Sequence, residues 1–156
     1  MRTRAAQALD RLEIPYELLE FEPKLFTAKE AADRLGLPLE QVYKTLVVRA
    51  DDGRILVACV PAPAELNLRA FARVIGARRV EMADSEELMR LVGYIKGAVS
   101  PLGLRRPCLV YIDATAMRFD RISVSAGVRG VQIWIDPRDL VRATEARTAA
   151  LTALPQ

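Results

Sequence analysis

The sequence predicts an α+β fold, a mixed β-sheet flanked by helices, on three observations. Strand-like segments follow one another at 108–113, 122–125 and 131–135 with no helical segment between them. Helical segments are inserted unevenly among the strands, unlike the regular alternation of a βαβ protein. The run 55–60, Ile-Leu-Val-Ala-Cys-Val, is apolar on both faces, as a central strand covered on both sides requires. With 156 residues, 51% hydrophobic and 28% charged, the chain is expected to be a single domain over 1–156, fraying over 145–156.

Each element has a local reason. Residues 3–12 read as a helix, and 14–21 as a strand near a sheet edge, where Pro15 is tolerated. Thr27-Ala28-Lys29-Glu30 has the form of a capping box, so a helix is expected to start there and stop at Gly36, before Pro38. Residues 42–48 are rich in β-branched and aromatic types, and Asp51-Asp52-Gly53 joins them to 55–60 as a hairpin. Asn67 is placed to cap a helix through Ile75, and Asp84 with Glu87 another through Leu91. Asp136-Pro137 opens the last helix, through Ala143.

Composition excludes several chemistries. Histidine is absent, so no Ser-His-Asp triad, histidine base or histidine-ligated metal can form. Cys59 and Cys108 are too far apart for a Cys-x-x-Cys motif and lie in apolar runs, which makes them small core residues. No metal or cofactor is expected. The net charge of +3 permits an anionic partner without establishing one. The first residues lack the apolar stretch of a secretory signal, and no window approaches the ~18–20 apolar residues of a membrane span. The expectation is a soluble, cytoplasmic protein.

Four segments carry candidate chemistry. Lys44 sits in an otherwise apolar strand, in a chain that has only Lys24, Lys29, Lys44 and Lys96 and writes its other cations as Arg. A compact ammonium is not interchangeable with a guanidinium; a lysine snorkelling to solvent is the competing explanation. The segment 93–103 holds three glycines, Ser100 and Pro101, and can aim backbone N–H groups at an oxyanion or phosphate, although a long structural turn has the same composition. Residues 125–130 read as a tight hairpin turn. Arg78-Arg79 and Arg105-Arg106, with Lys96, are candidates for phosphate contact.

Taken in order, Val42-Tyr43-Lys44-Thr45-Leu46, Gly93-Tyr94-x-x-Gly97-x-Val99-Ser100-Pro101-Leu102-Gly103 and Val124-Ser125-x-Gly127-x-Arg129-Gly130 resemble the YbaK/prolyl-tRNA-synthetase-associated editing domain family. The resemblance spans nearly the whole chain. It implies a partly barrel-like sheet and hydrolysis of the ester of mischarged tRNA, notably tRNA for proline carrying Cys or Ala. It implies catalytic roles for Lys44, Gly97 and Ser100, and substrate contacts from Phe21, Thr45, Tyr94, Pro101, Gly103, Ser125 and Gly127. The implied partners are the acceptor end of mischarged tRNA and an aminoacyl-tRNA synthetase, with no DNA and no membrane. Cys-type members usually read Ser-Gly-Gly-Lys-Arg-Gly and then an acid after one apolar position. Here Ala126, Val128 and Gln132 replace the second Gly, the Lys and the acid, Ala98 stands where Gly-Gly is common, and Phe21 lacks a hydroxyl. An Ala- or Ser-directed deacylase, or a non-catalytic tRNA- or synthetase-binding module, are the alternatives.

Overall fold

The hydroxyl of Thr3 accepts the Ala6 N–H at 3.0 Å and starts helix α1 (Arg4–Arg11), whose Ala5 and Leu9 are fully buried. The computed structural model describes residues 3–152. Strand β1 (Glu17–Glu20) is shorter than the expected 14–21, because Pro15 lies before it rather than within it. Helix α2 (Ala28–Leu35) is capped by Thr27 and ends on Gly36 in the left-handed conformation. Strands β2 (Tyr43–Ala50) and β3 (Ile55–Pro61) form the expected antiparallel hairpin. Helix α3 (Leu68–Ile75) starts where the Asn67 side chain accepts the Ala70 N–H at 3.0 Å. Such caps each contribute about 1 kcal/mol.

Strand β4 (Val80–Met82) follows, then a short turn of 3₁₀ helix at Ser85–Glu87 that runs into α4 (Leu88–Val92). After the glycine-containing segment come β5 (Leu109–Asp113), β6 (Ile122–Ser125) and β7 (Val131–Ile135), all three within the strands read from sequence. Pro137 occupies the first turn of α5 (Pro137–Thr144), and β8 (Arg147–Ala149) closes the described chain.

These strands build two sheets, a five-stranded one ordered β4-β2-β3-β5-β8 and a three-stranded one ordered β1-β7-β6. In the larger sheet β3 is central as expected, antiparallel to β2 and parallel to β5. A single bridge, Val42 to Ser123, links the two sheets. One cluster of buried side chains fills the space between them: Val57, Cys59 and Ile112 from one side, Val124, Ile133 and Ile135 from the other, with Leu9 of α1 and Leu91 of α4. The opposite face of the larger sheet is covered by α3, where Phe71 meets Tyr111 edge-on at 5.2 Å.

The expected fraying from 145 onward is corrected. Strand β8 pairs in parallel with β5, Leu151 is fully buried, and the Leu151 N–H donates to the buried Asp113 carboxylate at 2.8 Å. Leu66 and Thr152 add a further bridge. Residues 153–156 of the expected tail lie outside the described residues.

Candidate active site

The site is a gap in a sheet edge. Strand β4 pairs with β2 only at residues 48–50, and the three-stranded sheet touches β2 only through the Val42–Ser123 bridge. Between them residues 43–47 of β2 have no strand on that side. The Val47 carbonyl, which points away from β3, accepts the Ala83 N–H at 2.9 Å. Main-chain groups alternate along a strand, so Thr45 turns its N–H and C=O the same way, where no strand meets them. A cleft of about 640 Å³ opens along this edge, a size suited to a small organic ligand.

Five of the residues singled out from sequence line the cleft: Phe21, Lys44, Thr45, Gly97 and Ser125. Lys44 is half-buried, and its ammonium donates to the Ala62 carbonyl at 3.3 Å, which leaves two N–H bonds uncommitted. The Ser125 Oγ accepts the Gly127 N–H at 3.1 Å, so its own proton is free to donate.

The other five do not line it. Ser100 is fully buried, and its Oγ accepts the Leu102 N–H at 3.2 Å, turned away from the cleft. Pro101 is buried behind it. The Tyr94 hydroxyl donates to the Leu102 carbonyl, and its ring lies 4.6 Å below the Arg4 guanidinium. Gly103 and Gly127 are glycines because neighbours crowd them: a Cβ on Gly103 would sit 2.9 Å from the Arg4 carbonyl oxygen, and one on Gly127 would sit 2.5 Å from the Tyr94 ring. These five shape the wall behind the cleft and tie it to α1.

Two parts of the site lie outside the substrate contacts expected from sequence, one of them known there only as a departure from the family pattern. The first is Phe26, in the loop before α2. Its backbone has φ of 61°, a left-handed conformation unusual for a large residue. The Glu30 carboxylate holds it there, accepting the N–H groups of Lys24, Leu25 and Phe26 at 2.9–3.1 Å. Burial works against the Glu30 charge, but those three donors outweigh it and keep the carboxyl below the usual range. The Arg129 guanidinium stacks 3.9 Å over the Phe26 ring and donates to the Lys96 carbonyl at 2.7 and 3.0 Å. Three loops thereby meet at the rim. The second is Gln132 of β7, which lines the cleft opposite Ser125 with its Oε1 accepting from the buried Ser123 hydroxyl at 2.6 Å.

Three of the four lysines, Lys29, Lys44 and Lys96, line the cleft, against one carboxylate, Asp84. The arginine pairs lie elsewhere. Arg78 and Arg79 dock through their backbone N–H groups on Asp51 at 3.1 and 3.2 Å, and Arg105 reaches the Met89 carbonyl at 3.2 Å. Cys59 is fully buried, and burial pushes its thiol up to about 12, so it is no nucleophile. No cluster of metal-ligating side chains occurs among the described residues, and no helix among them is long and apolar enough to cross a membrane.

The model of one protein family, the aminoacyl-tRNA editing domain, matches residues 22–143. A protein of Enterococcus faecalis named "Putative Cys-tRNA(Pro)/Cys-tRNA(Cys) deacylase EbsC" is 31% identical over 153 residues, covering 97% of this chain and 93% of its own. A proline–tRNA ligase of Staphylococcus aureus is 28% identical over 119 residues, which are 76% of this chain but 20% of the ligase. Among solved structures, a "putative trans-editing enzyme for prolyl tRNA synthetase" superposes with a TM-score of 0.88 at 26% identity, covering 97% of this chain and 96% of that one.

Proposed function

The chain belongs to the aminoacyl-tRNA editing domain family, and on that premise we propose that it is a trans-editing deacylase. Its reaction is hydrolysis of the ester between a small amino acid and the terminal ribose of a mischarged tRNA, of the Cys-tRNA(Pro) type that the Enterococcus relative is named for. Water adds to the carbonyl carbon, the ester C–O bond breaks, and free amino acid and tRNA with a restored ribose hydroxyl are the products. A synthetase that charges the tRNA is the natural supplier of this substrate, since a related domain occurs within a proline–tRNA ligase.

The observation that carries this reading is the Lys44 ammonium beside the unpaired edge of β2 in a cleft closed by the Gly97 loop. An ester is already an activated acyl group, so positioning and charge stabilisation suffice, and each can lower a barrier by several kcal/mol, roughly. Lys44 serves the terminal phosphate or ribose and the negative charge that develops on the carbonyl oxygen. The Thr45 and Gly97 N–H groups are the donors for that oxygen, and Ser125 orients the amino acid. Tyr94, Ser100, Pro101, Gly103 and Gly127 act as positioning residues. With no histidine in the chain, the attacking water is activated by the substrate's own groups: a ribose hydroxyl, the amine or a cysteinyl thiol.

The test is release of free amino acid from a panel of mischarged tRNAs. The wild-type protein is expected to deacylate Cys-tRNA(Pro), and Lys44→Ala to lose at least about 100-fold in rate while keeping its circular dichroism spectrum. Full activity in a folded Lys44→Ala variant overturns the assignment, and tRNA binding without turnover by the wild type would make the protein a binding module. A second reading, an Ala- or Ser-directed deacylase, is favoured by one observation: Gln132 lines the cleft, at the position where the family resemblance leads one to expect an acid in Cys-type members. The same panel decides between them.

A further inference from the structure

Along the open edge of β2, one residue keeps both of its main-chain groups unbonded. The Val42 carbonyl accepts the Ala62 N–H at 2.7 Å and the Ala50 N–H donates to the Arg54 carbonyl at 2.9 Å, so the even-numbered residues between them bond to β3 while 43, 45 and 47 face the cleft. Val47 already has its carbonyl on the Ala83 N–H, and Tyr43 lies beside the Val42–Ser123 bridge. Thr45 has neither its N–H nor its C=O bonded to any described residue. Its side chain is turned to the core between the two sheets, where the hydroxyl lies 3.7 Å from the Cys59 Sγ.

In an antiparallel pair, two residues that face each other exchange both bonds, each giving its N–H to the other's C=O. An aminoacyl ester carries the same two groups on one carbon, an amine N–H and a carbonyl oxygen, with no chain beyond the amine. It is one strand residue long, and Thr45 offers one residue's worth of bonds.

Charge and space set the direction. A strand antiparallel to β2 has its amino end toward residues 46 and 47 and its carboxyl end toward 44 and 43. On the first side Ala83 closes the edge, followed by Asp84, the one carboxylate among the described residues of the lining. On the second side lie Lys44 and the Lys96 loop, which Arg129 ties to the β6–β7 turn. Helix α2 is there too, with Ala31 and Ala32 packed on Val42 and Lys29, paired with Asp33, in its first turn. A chain that ends in an amine suits the first side, and a polyanion continuing from the ester suits the second. A parallel alignment would send the nucleotide into the Ala83 end.

We propose that the aminoacyl group binds as a single-residue strand antiparallel to β2, its α-amine donating to the Thr45 carbonyl and its ester carbonyl accepting the Thr45 N–H. The inference rests on the deacylase reading above and adds to it the pose of the acyl group. The amino acid side chain then shares the face of the Thr45 side chain, where Tyr43, Val47 and Val99 line the cleft and leave room for a small group.

Three esters on one tRNA, alanyl, lactyl and propionyl, present an amine, a hydroxyl and no donor at the tested position. Each kcat/KM is divided by the spontaneous rate of the same ester, which removes their differing reactivity. The alanyl-to-propionyl ratio is expected to exceed about tenfold, with lactyl, a donor but no base, nearer to alanyl. Lactyl falling with propionyl would assign the amine to proton transfer and overturn the inference. Main-chain amide-to-ester replacements test each bond. At position 45 the replacement removes an N–H without a partner among the described residues, and all three rates are expected to fall about 100-fold in a folded protein. At position 46 it makes the Thr45 carbonyl a weaker acceptor while losing one bond to β3. Disturbed structure lowers the three rates alike, so the alanyl-to-propionyl ratio reads the carbonyl alone, and it is expected to fall at least about threefold. An unchanged ratio at 46, or unchanged rates at 45, overturns the inference and leaves the deacylase intact. Cleavage of none of the esters by the wild type removes the deacylase reading, and the inference with it.

Discussion

Gly97 has φ of 84°, and a Cβ there would lie 2.7 Å from the Phe26 Cβ and 2.9 Å from the Phe26 carbonyl oxygen. Neither neighbour can yield easily, since Glu30 and Arg129 hold Phe26 from two sides. Gly97→Ala is therefore expected to cost about 1–3 kcal/mol in urea unfolding and to lower deacylation by more than about tenfold, by displacing the rim of the cleft. An unchanged rate would mean that the contact between the two loops has no part in the reaction. Lys44 and Gly97 stood out in the sequence because their types are informative where they stand: a lysine inside an apolar strand of a chain that writes most of its cations as arginine, and a glycine in a glycine-rich turn. Ser100 and Tyr94 looked equally polar and equally promising. Whether a loop side chain turns toward a cleft or bonds to its own loop depends on three-dimensional neighbours, and both of these turn inward. Gln132 was legible only as a departure, because its orientation comes from Ser123, nine positions earlier on the neighbouring strand.

The Thr27–Glu30 capping box shows what an element's sequence does and does not specify. Half of it forms: the Thr27 hydroxyl accepts the Glu30 N–H at 3.1 Å and starts α2. The Glu30 carboxylate does not return to Thr27. It turns to the three N–H groups of residues 24–26 and so organises the loop that carries Phe26. The shift in its pKa has a definite sign. The folded value is depressed, so the contribution is complete above the unfolded value near 4.5 and is lost as pH falls through the lower folded value. Amide exchange at residues 24–26 is accordingly expected to stay protected at pH 6 and to accelerate, relative to the core strands, as pH drops below about 4. In Glu30→Ala the same amides should exchange fast at every pH. Equal protection in the variant would assign the loop's order to Arg129 alone. Strands β4 and β8 were not legible, since three residues carry no periodicity; their partners define them.

At the scale of the molecule, hairpins and caps could be read because their causes are local, but the parallel pairing of β3 with β5 and of β5 with β8 could not. Asp113 is central to that non-local part. Its buried carboxylate accepts the Leu151 N–H with one oxygen and the Thr115 N–H and hydroxyl with the other, and Thr115 accepts from the Tyr43 phenol at 2.9 Å. Strands β2, β5 and the segment after β8 are thus joined under the floor of the cleft. Asp113→Ala leaves buried donors without partners, at about 1–3 kcal/mol for each. It is expected to lower the unfolding midpoint and to expose the 147–151 segment to proteolysis. A variant as stable as the wild type would show that the apolar contacts of Leu151 alone hold that segment.

The interrupted neighbour of β2 also acts as a ruler. Five residues, 43–47, lie between the last pair with β4 and the bridge at Val42, a span of roughly 16 Å at the rise of an extended strand. How far a substrate's tail can thread is set by where two strands stop pairing. Extending β4 by a single pair toward Thr45 would shorten the opening and change which substrates fit without altering any side chain that meets them.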